Sequence, residues 1–120
     1  MTLWLGIALL GALGALARFH VGAAVRSRLT GPFPYGTFVV NLTGSFVLGL
    51  LIGLSVQDDA LLLAGTGLLS GYTTFSTWMV EALRLAEQRA WRVMALYLLG
   101  SMAAGLAAAG AGWLLGGSLS

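Results

Sequence analysis

Four long apolar stretches, separated by short polar linkers, dominate the pattern of hydrophobic and polar positions along the chain. A helix needs roughly 20 apolar residues to cross a bilayer core of about 30 Å. The stretches of this length are residues 3–24, 36–56, 60–83 and 93–115. Because the linkers are short, the pattern predicts one all-α membrane domain over residues 1–120, with four transmembrane helices in an up-and-down bundle. The first stretch lacks the basic start of a signal peptide, so it is predicted to be a retained span.

Composition supports the membrane assignment and excludes several classes of function. Hydrophobic residues make up 58% of the 120 residues, charged residues make up 8%, and the mean hydropathy is +0.92. A soluble domain carries charge on roughly a quarter of its residues, so this outer surface must face lipid. A net charge of +2 without a basic stripe argues against nucleic-acid binding. The absence of cysteine and the single histidine exclude disulfides, thiol catalysis and a histidine-based metal site.

Small or polar residues recur every four positions in the second span, which places them on nearly one helix face. They are Thr37, Asn41, Ser45, Gly49 and Gly53. Polar groups are costly in hydrocarbon, so their presence on one helix face indicates a structural or functional role. It is either a polar seam that joins two helices, or the wall of a pathway on which Asn41 offers two N–H donors to an anion.

The third span contains a polar stretch, residues 70–78, in which five of nine residues are serine or threonine. Threonine pairs and a glycine weaken a helix, and hydroxyl groups compete for its backbone hydrogen bonds. A helix break at this depth would free carbonyl groups, which are natural ligands for Na⁺. The alternative is an intact helix whose hydroxyl groups bond to the preceding turn.

Two aromatic residues and one arginine complete the candidate chemistry within the spans. Phe75 and Trp78 share a helix face beside Ser76 and Thr77, where a positive ring edge could attract an anion, although aromatic residues at this spacing usually form the core. Arg18 could attract an anion, but we favour a structural role, such as bonding carbonyl groups of a neighbouring helix. Glycine pairs with GxxxG spacing predict close helix packing at Gly49/Gly53, Gly67/Gly71 and Gly112/Gly116.

The chain resembles the fluoride channel family called Fluc or CrcB. The matching segments are residues 11–19 (GALGALARF), 36–46 (GTFVVNLTGSF) and 71–77 (GYTTFST), and the similarity extends over nearly the whole chain. The resemblance implies a fluoride-selective channel of the cell (plasma or inner) membrane that gives passive efflux and has no enzymatic activity. It also implies an antiparallel dual-topology dimer with two fluoride pathways and a central structural Na⁺ that is not transported.

Site residues follow from the resemblance by position. The anion pathway would contain Asn41, Phe75, Ser76, Thr77, Trp78 and Ser101. The Na⁺ would be held by the backbone carbonyls of Ser70 and Thr73 from both protomers, and Arg18 would be structural. The family usually has glycine at Ser70 and phenylalanine at Trp78, and some members have a hydroxyl at Gly105.

The arginine distribution is difficult to reconcile with a homodimer whose two identical chains insert in opposite orientations. Five arginines lie in or beside the first and third linkers, which share one side of the membrane: Arg26, Arg28, Arg84, Arg89 and Arg92. The other side has no arginine or lysine. The positive-inside rule then predicts both linkers in the cytoplasm. An antiparallel homodimer is the default expectation, and a heterodimer with an oppositely biased paralogue is the alternative.

Two rival functions fit a chain of this size. A small multidrug-resistance transporter is also a four-span dimer, but that chemistry needs an acidic residue in the first span, where this chain has Arg18. A non-transporting membrane assembly subunit would explain the glycine pairs but not the polar stretch.

Overall fold

The computed structural model describes residues 2–55, 58–73 and 75–119, and every element within these ranges is a helix. Helix α1 spans Thr2–Arg28 and α2 spans Tyr35–Gly53. The connection between them contains Pro32 and Pro34, and proline cannot continue a helix because it lacks the N–H donor. Helix α1 extends past the predicted apolar stretch because its polar last turn, which includes Arg26, stays helical.

The third segment is divided into several shorter elements. In order they are α3 (Asp58–Leu61), a π-helix (Leu62–Leu69), α4 (Ser70–Tyr72) and α5 (Ser76–Glu87). Between α4 and α5, Thr73 has an extended backbone with φ −79° and ψ 160°. Two predicted positions, the end of the second span at Val56 and Thr74 of the polar stretch, lie outside the described residues.

The last helix, α6, spans Trp91–Leu119. Three helices, α1, α2 and α6, are long and apolar enough to cross a membrane, with 27, 19 and 29 residues. The elements of the third segment are each shorter, and α5 has 12 residues. The predicted all-α, multi-pass membrane architecture is confirmed at this level.

Glycines bring α2 and α6 into backbone contact. A Cβ atom added to Gly49 would overlap the carbonyl oxygen of Ala109, and one added to Gly112 would overlap that of Phe46. Such close approach lets two helices gain dispersion energy in lipid, where burial of apolar surface gives no advantage. Contacts move in the same direction along both helices, from Gly49 with Ala109 to Gly53 with Trp113, so α2 and α6 run parallel.

A second glycine contact joins α1 to the third segment. A Cβ atom at Gly71 would overlap the carbonyl oxygen of Gly11, and one at Gly14 would overlap that of Leu68. Gly67 lies against Ile7, where an added Cβ would be 3.2 Å from the Ile7 carbonyl oxygen. The three GxxxG pairs singled out in the sequence therefore serve close helix packing, as predicted.

The small buried core lies near the end of the bundle that carries both linkers. Ala82 and Leu85 of α5 pack against Tyr97 of α6, which is fully buried, and Phe33 and Trp78 cover them. The α5–α6 turn closes at Arg89, which is in the left-handed region with φ 57°. This core holds α5 against α6 and so fixes the position of Trp78.

Substituting alanine at Gly112 is expected to destabilise the fold by about 1–3 kcal/mol, because the added methyl group meets the backbone of Phe46. Gly110, on the same helix, has open space around it, so Gly110→Ala should be neutral or slightly stabilising, since alanine is the better helix former. Reversible unfolding in detergent measures both. Equal stabilities of the two variants would contradict the close α2–α6 contact.

Candidate functional site

A cleft of about 420 Å³ lies between α2, the third segment and α6, and we call it the Asn41 cleft. Its polar lining comes from Asn41, Ser45, Ser70, Thr73 and Ser101. Its aromatic lining is Phe75 and Trp78, and its apolar wall includes Leu48, Leu69 and Met102. The cleft thus unites residues that are up to 61 positions apart in the sequence.

The parallel register of α2 and α6 places Asn41 in this cleft. The Thr37 hydroxyl hydrogen-bonds Tyr97, and a Cβ at Gly105 would lie 3.6 Å from Ser45 Oγ. Both pairs, like Gly49 and Ala109, are separated by 60 residues in the sequence. Asn41 and Ser101 have the same separation, so this register places them at the same level of α2 and α6. The two interpretations of the α2 polar face are therefore compatible, because the face both contacts α6 and lines the cleft.

The third segment contributes its extended turn to the same cleft. Gly44 of α2 packs against Thr73, and an added Cβ there would overlap the Thr73 Cγ2 atom. The hydroxyl groups of Ser70 and Thr73 bond to the carbonyls of Thr66 and Leu69, one turn earlier. The backbone at Thr73 is extended, so the helix is interrupted directly after α4, and the carbonyls of Ser70 and Thr73 flank this interruption.

The aromatic pair spans the edge of the cleft. The rings of Phe75 and Trp78 lie 5.4 Å apart between centroids, with an interplanar angle of 53°. Phe75 is 71% exposed, whereas Trp78 is half-buried and also packs against Tyr97, with centroids 6.4 Å apart. The Phe75 ring can therefore meet a ligand or a second protein chain, while the Trp78 ring is held in place.

The remaining predicted residues lie elsewhere. Thr77 lines a separate cleft of about 200 Å³, together with Arg18 and Arg26, between α1, α2 and α5. Ser76 is exposed at the first position of α5. Of the six predicted pathway residues, the structure thus brings four into one cleft and places two outside it.

A polar cluster that the sequence interpretation missed lies near the linkers. The Tyr97 hydroxyl donates to Glu81 Oε1 at 3.3 Å and also bonds Thr37, which is 6% exposed. Glu81 and Arg84 both line a linker cleft of about 410 Å³. The available signal was Tyr97 itself, a polar aromatic residue four positions before Ser101 in the last span.

The described ranges contain no cluster of three or more histidine, cysteine, aspartate or glutamate residues that could bind a transition metal. A hard cation such as Na⁺ accepts backbone oxygens instead. The extended Thr73 turns its carbonyl away from the direction of the helical carbonyls. The local backbone is therefore of a type that fits an alkali cation.

Comparison with known proteins gives consistent matches. A family model described as CrcB-like protein, camphor resistance (CrcB), matches residues 5–113. The chain is 48% identical over 109 residues to fluoride-specific ion channel FluC 2 of Mycobacterium bovis, covering 91% of this chain and 86% of that protein. It is 46% identical over 117 residues to FluC 1 of Leifsonia xyli subsp. xyli, covering 94% and 85%. It is 47% identical over 110 residues to FluC of Gloeobacter violaceus, covering 87% of each.

The position of the cleft can be tested by labelling, because the chain has no cysteine of its own. Ser45→Cys places a thiol in the Asn41 cleft, and Val47→Cys places one in an apolar groove on another face of α2. A thiolate forms only where water reaches, so Ser45→Cys should react with a charged methanethiosulfonate about tenfold faster or more. Mass spectrometry of the protein in liposomes measures the rates, and equal rates would show that the cleft is not hydrated.

Proposed function

The chain belongs to the CrcB family, and on that premise we propose that it is a fluoride-selective channel of the cell membrane that lowers cytoplasmic fluoride by passive efflux. The observation that carries this proposal is the Asn41 cleft, where amide, hydroxyl and aromatic groups from α2, α5 and α6 meet between the spans. Three relatives of similar length are named fluoride-specific ion channels. A channel makes and breaks no covalent bond, so no enzymatic step belongs to this function.

The lining of the cleft suits a small, strongly hydrated anion. Asn41 offers N–H donors, and Ser45 and Ser101 offer hydroxyl donors. Among the described residues that line the cleft there is no aspartate or glutamate to repel an anion. Donors that replace water at several weak sites allow an ion to enter and also to leave. A narrow path of fixed donors would exclude the larger chloride.

The other predicted residues have roles outside this cleft. The Phe75 ring edge would face the anion path at the cleft rim. Ser76 and Thr77 would extend the path from α5 towards the cleft that contains Arg18. Arg18 would act structurally, since it lies where α1, α2 and α5 meet. The multidrug-transporter alternative is disfavoured, because Thr2–Arg28 contains no acidic residue that could exchange protons.

The functional unit would be an antiparallel dual-topology homodimer in which the third segments of two copies meet. The exposed Phe75 supports this arrangement, because a second copy would complete the open rim of the cleft. The five-to-none arginine bias favours one orientation for a chain inserted alone. A heterodimer with an oppositely biased paralogue is therefore the second candidate.

A structural Na⁺ would lie at the centre of this dimer. Each chain would supply the carbonyls of Ser70 and Thr73, and two chains would double the number of oxygen ligands. A bound Na⁺ would hold the extended turns together and is not itself transported. The support for this site is the extended backbone of Thr73, which interrupts the helix between α4 and α5.

Fluoride efflux from liposomes that contain the purified chain tests the function, with chloride as the control ion. We expect fluoride to leave and chloride to stay. Asn41→Asp should abolish efflux, because a carboxylate about 4 Å from the anion repels it by about 4 kcal/mol at an effective dielectric constant of 20, which is roughly a thousandfold. Gln88→Glu makes the same chemical change on the exposed turn and should keep full activity. Equal leakage of both ions, or of neither, would refute the channel.

Sodium dependence tests the metal site independently of transport. Replacing Na⁺ by N-methylglucamine should lower the free energy of unfolding by about 2.7 kcal/mol if Na⁺ is present at about a hundred times its Kd. The same replacement should also lower the dimer fraction. Ser70→Ala should keep this dependence, because the proposed ligand is the carbonyl and not the hydroxyl. Thermal unfolding and chemical crosslinking measure the effect. A stability that is the same in both buffers would remove the ion from the proposal.

A further inference from the structure

The linker end of the bundle carries a separate cleft of about 410 Å³, which we call the linker cleft. It lies between the last turn of α1, the connection that leads into α2, and α5. Its charged lining consists of Arg26, Arg84 and Glu81, and Gln88 adds an amide. Two guanidinium groups against one carboxylate give the cleft a net positive charge. Its volume is in the range of clefts that hold small organic ligands.

The linker cleft lies at the level where the apolar spans end. Arg26 closely follows the first apolar stretch, which ends at residue 24, and Arg84 directly follows the third, which ends at residue 83. The second stretch begins at residue 36, and the preceding Tyr35 lines the cleft and is half-buried. Tyrosine is enriched at the boundary between hydrocarbon and water. The two arginines are therefore at the depth of lipid headgroups, where basic residues attract anionic lipids.

Two buried glycines leave room for the Arg26 side chain where α1 meets α2. A Cβ atom added to Gly22 or to Gly36 would lie 3.0 Å from Arg26 Nη1. The Arg26 guanidinium thus packs against both helices at once. A long side chain that is already held in this way loses less conformational entropy when it binds a ligand.

The arginines of the linker cleft have no partner among the residues that the structure describes. Neither Arg26 nor Arg84 forms a hydrogen bond or an ion pair within those ranges. Glu81, which lines the same cleft, instead accepts a hydrogen bond from the Tyr97 hydroxyl at 3.3 Å. A guanidinium group carries its N–H donors in a planar fork that matches the oxygens of a phosphate. Two such forks in one cleft indicate a site for a phosphate ester.

We propose that the linker cleft binds the phosphate of an anionic phospholipid, with Arg26 and Arg84 as the binding residues. Each guanidinium can bond two phosphate oxygens, and hydrogen bonds between charged groups are about twice as strong as neutral ones. The residues of this site do not line the Asn41 cleft, and the proposal does not depend on the channel function.

Apolar residues beside the cleft favour a lipid over a free phosphate ester, although both offer the same phosphate chemistry. Leu29 belongs to the lining and is 48% exposed, and Leu83, next to Arg84, is 58% exposed. These side chains provide apolar surface on which acyl chains can lie. A soluble phosphate ester would gain nothing from them, so the lipid is the ligand that uses the whole site.

Native mass spectrometry of the chain released from nanodiscs tests the site. In nanodiscs of equal parts phosphatidylglycerol and phosphatidylcholine, the chain should retain phosphatidylglycerol preferentially. Arg26→Gln combined with Arg84→Gln should weaken this binding by about 25-fold, at about fivefold for each arginine near a membrane surface. Arg28→Gln combined with Arg92→Gln is the matched control. It removes the same charge from the same end of the bundle, outside the linker cleft, and should cause no comparable loss.

Photocrosslinking of the unaltered chain tests the position without any substitution. Phosphatidylglycerol with a diazirine in its headgroup should label residues 26–36 and 81–88, which contain the lining of the linker cleft. Unlabelled phosphatidylglycerol should compete with this labelling, whereas millimolar inorganic phosphate should not. Peptide mapping by mass spectrometry identifies the labelled residues.

Four results would overturn the proposal. An equal loss in both double variants would show a general attraction of anionic lipid to the arginine-rich end of the bundle. Equal retention of phosphatidylcholine would show that the anionic charge of the lipid is not recognised. Labelling confined to residues outside 26–36 and 81–88 would place the lipid elsewhere. Competition by inorganic phosphate would show that the site takes a soluble phosphate rather than a lipid.

Discussion

The backbone contact between α2 and α6 sets the geometry of the site. Gly49 and Gly112 allow the two helices to touch along their length, and a side chain at either position would separate them. In lipid no burial of apolar surface drives helices together, so close van der Waals contact must do it. The contact also fixes the register, because it permits one alignment of the two helices. Asn41 and Ser101 lie at one level because these glycines, which have no polar side chain of their own, set the alignment of α2 and α6.

A second constraint is the cost of polar groups in hydrocarbon, and the chain meets it in two ways. Thr37, Tyr97 and Glu81 satisfy one another, and helix hydroxyls such as that of Thr43 bond to their own backbone. The donors of the Asn41 cleft differ, because two of them are buried without a described partner. This contrast distinguishes polar groups that are bonded within the chain from two buried polar atoms that have no partner among the described residues.

The sequence predicted the apolar spans well and the irregular segment less completely. Hydropathy is enough to identify α1, α2 and α6, although it underestimates the lengths of α1 and α6 because interfacial turns stay helical. The composition of residues 70–78 indicated a weak helix, and Thr73 is extended there, while its use as a cation site stays a prediction. The π-helix over Leu62–Leu69 has no local signature, since its geometry depends on packing against α1.

The residues of the candidate site were also only partly predictable from the sequence. The four-residue spacing on α2 pointed to Asn41, and the family pattern pointed to Phe75, Trp78 and Ser101, which the structure brings into one cleft. Neither source could predict that Thr77 lies with Arg18 instead, because that depends on how α5 leaves the extended turn. The bond between Tyr97 and Glu81 joins residues 16 positions apart on different helices, and no local pattern reports such a pair.

The parallel pairing of α2 with α6 also governs the order in which the protein can be assembled. During synthesis α2 enters the bilayer well before its partner, and about 60 residues separate the facing positions. Until α6 is inserted, Thr37, Asn41 and Ser45 must remain at the translocon, turn towards α1 or face lipid. Assembly is thus limited by a late, non-local event.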